Sequence, residues 1–169
     1  VTPRTDSAQR VLDASVEVTP AASLFRYVDY FGTVVTAFDL HVPHTELTVT
    51  ATCVVETSAA SDVGRSAPWA ALEEEGLRDE LSEYLEPTPR TVIEDDELFG
   101  VVDLVRAAAD PDAGALEAAR WVYGRLEYVP GATGVHTGAH EVLKEGRGVC
   151  QDFAHVTIAI LRAAGIPTR

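Results

Sequence analysis

Polar and apolar positions change period partway along the chain, and that change divides it. Up to residue 56 the period is two. Val16 and Val18 alternate with Ser15 and Glu17 before Pro20, the pattern of a half-buried strand. Tyr27 to Phe31 is rich in aromatics and ends at Gly32, which predicts a turn, and Val34 to Leu40 reads as the next strand. The clearest strand runs from Leu47 to Val55. Its Leu47, Val49, Ala51, Cys53 and Val55 share one face, with Thr48, Thr50 and Thr52 on the other. Cys53 is in register with the apolar face and is expected to be a buried small hydrophobe.

Residues 57–67 are small and polar and read as a linker. Pro68 to Leu85 follows, with Leu77, Leu81 and Leu85 at spacing four, which predicts a short amphipathic helix ended by Pro87 and Pro89. From residue 96 the period is helical. Leu98, Val101, Val102, Val105 and Ala109 mark one helix face, and the acids Glu94 to Glu97 before it read as helix-start charges, in preference to a metal site. Asp110-Pro111 is an N-cap with a proline at the first helical position. It opens a second helix with Leu116, Ala119, Val122 and Leu126 on its inner side. A loop rich in Gly, Thr and His over 131–140 leads to a short segment at Glu141-Val142-Leu143-Lys144.

The last helix is predicted from Gln151 to Ala164 and stopped by Gly165 and Pro167. Wound at about 100° per residue, it puts Asp152, His155, Ala159 and Arg162 on one narrow stripe. Phe153, Ala154, Val156, Thr157, Ile158, Ile160, Leu161 and Ala164 fill an arc of about 200°, where a surface helix needs only ~100°. This helix is therefore expected near the centre of a core. The organisation expected is a β-rich region at 1–56, a linker and short helix at 57–95, and a mainly helical unit at 96–169. The fold class is α+β, an antiparallel β layer followed by helices.

Cys150 stands at the start of that last helix, after a turn flexed by Gly146 and Gly148. The first turn of a helix has free N–H groups and the positive end of the macrodipole, and both favour a thiolate over a thiol. Cys150 is the candidate nucleophile. A nucleophilic cysteine needs a base, usually histidine, and a group to orient it. Of five histidines, His155 lies about 140° around the helix from Cys150 and reads as a structural partner of Asp152. His136 and His140, just upstream, are placed to line the cleft. His41 and His44 lie in the β-rich part.

The run Gly148-Val149-Cys150-Gln151-Asp152-Phe153-Ala154-His155, with Ile160-Leu161-Arg162 and Gly165-Ile166-Pro167-Thr168-Arg169, resembles the nucleophile segment of the bacterial transglutaminase-like superfamily. Phe25 to Gly32 and His44 to Ala51 are similar to the β-rich region that precedes the core in those proteins. The resemblance implies the helical half of a papain-like core. It also implies cysteine-dependent acyl transfer on a protein or peptide amide, giving hydrolysis or an isopeptide bond through a thioester at Cys150. In that family the catalytic histidine and aspartate follow the cysteine helix on later strands, and no residue of this chain matches them. Only Cys150 carries over as catalytic, and this chain alone is expected to show no turnover.

Composition narrows the partners. Hydrophobic residues at 46% and charged ones at 24% are ordinary for a soluble globular protein, and no apolar run reaches the length of a membrane span. A formal charge of −14, from 13 Lys+Arg against 27 Asp+Glu, argues against nucleic acid or an anionic membrane as partner. Two cysteines are too few for a disulfide framework and unsuited to zinc, so no metal and no cofactor is expected. A cytoplasmic location fits. The chain has no methionine and begins at Val1-Thr2-Pro3, and it is read as a piece of a longer protein. Part of the apolar arc is expected to lack cover, which makes a homodimer the expected assembly. The opposing reading is a non-enzymatic interaction module in which Cys150 is an inert, packed thiol.

Overall fold

A computed structural model describes residues 2–6, 8–58, 67–93 and 97–169. Most of the expected linker and the acids at 94–96 lie outside the described residues. Two compact units, residues 1–63 and 64–169, make up the chain.

The first unit is antiparallel β, as its period of two requires. Strand β1 (Gln9–Thr19) pairs with β4 (Thr48–Thr57), and β2 (Leu24–Val28) pairs with β3 (Val34–Phe38) as a hairpin. In the first pair Val11, Ala14, Val16 and Val18 stand opposite Val55, Cys53, Ala51 and Val49. Paired residues of an antiparallel ladder share a face, so all eight side chains line one side. A register shift between Val11 and Asp13 makes this possible, because the extra residue returns Val11 to the face of Ala14.

Face and strand agree with the sequence, but the burial expected of Cys53 does not. Cys53 is exposed, as is β4 along its whole length. A two-stranded ribbon has no second layer of its own, and alternation alone does not show whether one is supplied.

The second unit is helical. A six-residue helix, α1 (Glu75–Glu80), lies between two 3-10 turns at Trp69–Glu73 and Ser82–Tyr84, and Leu77, Leu81 and Leu85 are half-buried there. Then come α2 (Glu97–Arg106), α3 (Pro111–Arg125), β5 (Glu127–Tyr128), α4 (Ala139–Glu145), β6 (Arg147–Gly148) and α5 (Cys150–Ala163). Helix α2 buries Leu98, Val101 and Val105 as its spacing predicts, but it ends before Ala109, which is exposed. Asp110 caps α3 by accepting the Ala113 N–H at 2.8 Å, and Pro111 takes the first helical position.

The inner face of α3 differs from the expected one. Leu116 is 50% exposed and Ala119 is exposed, whereas Pro111, Gly114, Ala118 and Val122 are buried. Small residues let α3 approach its neighbours closely. A Cβ on Gly114 would lie 2.8 Å from the Val105 carbonyl oxygen and 3.2 Å from the Trp69 ring. Trp69 cannot retreat easily, because its indole N–H donates to the Ala108 carbonyl at 2.9 Å and Arg106 sits over its ring. Gly114→Ala is therefore expected to destabilise by about 2 kcal/mol, despite alanine's better helix propensity. Chemical denaturation measures this, and a gain in stability would refute the close packing.

Helix α5 packs against α2, α3 and α4, and its Val156, Ile160 and Leu161, with Ala164 just after it, are buried among Val105, Val122 and Val142. Of the predicted arc, Ala154 is exposed while Phe153, Thr157 and Ile158 are half-buried. The stripe beside it is not a solvent face either, since Asp152 is fully buried and Ala159 nearly so. Arg162, on the same stripe, donates to the Thr168 carbonyl at 3.0 and 2.7 Å and to the Glu86 carbonyl. It thereby ties the end of the helix to the residues that follow it.

Candidate active site

Cys150 is the first residue of α5 and is exposed. Three local features place it there. The two-residue strands β5 and β6 pair in parallel, with Glu127 N–H on the Gly146 carbonyl and Val129 N–H on the Gly148 carbonyl, both at 2.9 Å. This fixes the chain entering α5 against the chain leaving α3. At the helix start, the Val149 carbonyl accepts from the N–H of Asp152 at 2.9 Å and of Phe153 at 3.2 Å. The Asp152 carboxyl reaches back to the Val149 N–H at 2.7 Å, one half of a capping box. N–H groups in the first turn have no acceptor inside a helix, so those nearest Cys150 are oriented toward whatever lies before it.

The thiol opens on a cleft of about 670 Å³ lined by Tyr123, Leu126, Tyr128, Cys150 and Phe153. Tyr128 and Phe153 have ring centroids 6.2 Å apart, and Tyr123 is 82% exposed. The lining is aromatic and apolar, and among the described residues no carboxyl or imidazole contributes to it.

Against the sequence, Cys150 holds its place at the helix start, but its expected neighbours do not gather. His136 and His140 are exposed and are not among the residues lining the cleft. His41 and His44 belong to the first unit. Asp152 and His155 share a stripe without a hydrogen bond between them. Asp152 Oδ1 and His155 Nδ1 are both buried without a partner among the described residues. A spacing of three brings two side chains to one face of a helix but does not fix their rotamers toward each other.

Sequence reasoning missed Tyr123, Tyr128 and the capping role of Asp152. An acid three residues after the residue preceding the helix is a capping signal that could have found the last. Tyr123 and Tyr128 left no periodic signal. Among the described residues no cluster of His, Cys, Asp and Glu is suited to a metal ion, and no helix is long and apolar enough to cross a membrane.

Known proteins resemble this chain in sequence and in fold. Residues 1–56 match the bacterial transglutaminase-like N-terminal region, and residues 101–169 match the transglutaminase-like superfamily. An uncharacterised protein of Mycobacterium leprae is 43% identical over 169 residues, which is all of this chain and 60% of that protein. An uncharacterised protein of Mycobacterium tuberculosis H37Rv is 30% identical over 98% of this chain and 55% of its own length. The chain thus spans little more than half of these relatives. A solved structure, a candidate cysteine protease of Cytophaga hutchinsonii, superposes with a TM-score of 0.68 at 24% identity, covering 99% of this chain and 57% of that one. That likeness is one of fold, and it extends through both units. In both of its units the chain is thus similar to transglutaminase-like proteins, with the N-terminal region matched first and the superfamily core after it.

Proposed function

We propose that Cys150 is the nucleophile of an acyl transfer on carboxamides of proteins or peptides. The observation that carries this reading is an exposed thiol on the first residue of a core helix, facing an open aromatic cleft. A packed structural thiol, the opposing reading, would be buried. Sγ bonds to the amide carbon, the C–N bond breaks, and ammonia or an amine leaves with a proton, so that a thioester remains. Water then releases the acid, or an amine forms an isopeptide bond. First-turn N–H groups near Cys150 are the donors available to the developing oxyanion. The apolar lining suits a peptide side chain flanking the amide.

Among the described residues no histidine is hydrogen-bonded to Cys150, so the base is expected from elsewhere in the complete protein. The 169 residues alone are then expected to show no turnover, because losing triad members costs several orders of magnitude in rate. Cys53 supplies an internal control for the thiol itself. Both cysteines are exposed, but Cys53 lies in a strand. At neutral pH iodoacetamide is expected to label Cys150 about tenfold faster than Cys53. Equal rates by peptide mass spectrometry would remove the reading.

A further inference from the structure

Among the described residues Asp152 is the one acidic residue with a fully buried side chain, and the proposed reaction assigns it no step. Its Oδ2 accepts twice, from the Val149 N–H at 2.7 Å and from the Thr133 hydroxyl at 2.5 Å. Its Oδ1 is buried with no partner among the described residues. Burying a carboxyl with one oxygen unsatisfied is costly, and a helix start needs no such burial to be capped. An exposed acid at the same position would accept the same N–H. What burial adds is the second donor, Thr133, which comes from the loop between β5 and α4.

Gly148 shows how tight this junction is. A Cβ there would lie 2.7 Å from both Cβ and Oδ2 of Asp152, so the backbone two residues before Cys150 runs directly against the carboxyl. One oxygen therefore joins three pieces: the 129–138 loop, the turn at Gly148-Val149, and the first turn of α5. Cys150 is bonded to the residue this oxygen holds. If Val149 moved, the thiol would lose its relation to the first-turn N–H groups and to the cleft.

We infer that Asp152, held by Thr133, is the positioning residue for Cys150. This rests on Cys150 being the nucleophile. The carboxyl touches no reacting atom. It keeps the residue before the thiol in one place, and a displacement of about 1 Å in such a geometry costs up to ~100-fold in rate.

The test uses the complete protein with Asp152→Ala, Asp152→Asn, Thr133→Val and Thr133→Ser. Two quantities are read: iodoacetamide labelling of Cys150 relative to Cys53, and hydrogen exchange of the Val149 amide. Asp152→Ala is expected to lower the labelling ratio about tenfold, and Thr133→Val about threefold. Asp152→Asn and Thr133→Ser keep the hydrogen-bonding groups and are expected to stay within about twofold of the parent. Val149 exchange accelerates in Asp152→Ala and Thr133→Val and not in Asp152→Asn and Thr133→Ser.

Loss of thermal stability with an unchanged labelling ratio would overturn the inference, since a merely structural cap predicts that. So would Asn behaving like Ala. Should Asp152→Ala fail to fold, Thr133→Val carries the test, because its hydroxyl lies in a loop and not in the core helix. If the parent itself labels Cys150 no faster than Cys53, the nucleophile reading falls. Val149 exchange then decides the clamp alone: acceleration in Thr133→Val upholds it, and unchanged protection overturns it.

Discussion

Ile160→Ala is expected to lower unfolding free energy by about 4 kcal/mol, the largest stability effect in the chain. Among the described residues Ile160 is the largest fully buried side chain, on the helix that packs against α2, α3 and α4. Truncating it removes the transfer free energy of three carbons and leaves a cavity that helices fixed on three sides cannot close. Leu116→Ala is the matched control. It deletes as many carbons from a residue that the hydrophobic pattern places inside and the structure leaves 50% exposed. Its cost is expected to stay below about 1 kcal/mol. Thermal unfolding should show Ile160→Ala falling on the order of 10 °C or more and Leu116→Ala nearly unmoved. Comparable losses in the two variants would mean that the burial of α3 and α5 is wrongly assigned.

That contrast also marks where the sequence is legible. Residues 15–18 of β1, most of β4, the helix α5 and the cap at Asp110 each leave a local mark: a period of two, a wide apolar arc, or an acid before proline. Local marks fail where the cause is a distant surface. Helix α3 turns Gly114 and Ala118 inward because Trp69 and Val105 come close, and no periodicity of large side chains records this. Strands β5 and β6 have two residues each, too few to alternate, yet their pairing sets the entry to α5. Cys53 has the right face and the wrong burial, because facing a layer and having one are different facts.

The site divides in the same way. Cys150 is readable from the glycine turn and the helix that follows it, and the family segment around it is readable from the residues themselves. The cleft is not. Tyr123 comes from α3, Tyr128 from β5 and Phe153 from α5, and the parallel pair, with the packing of α5 on α3, brings them together. His136 and His140 are near Cys150 in sequence but stand outside the lining, since a loop's direction depends on its anchors, here Thr133 on Asp152.

Cys150→Ala is expected to abolish amide turnover by the complete protein, a loss of at least ~1000-fold in kcat. Alanine removes the sulfur proposed to take the acyl group, while the cleft and its N–H donors persist. Because Cys150 is exposed, stability should change by less than about 0.5 kcal/mol. Loss of activity with retained folding separates chemistry from structure.

The direct measurement is to trap the intermediate. The complete protein is mixed with a glutaminyl peptide, quenched in acid within a turnover, digested and weighed. A thioester at Cys150 predicts that the peptide containing it gains the mass of the substrate less ammonia, that hydroxylamine removes this mass, and that Cys150→Ala never acquires it. Ammonia release that continues with Cys150 unmodified, or that survives Cys150→Ala, would contradict it.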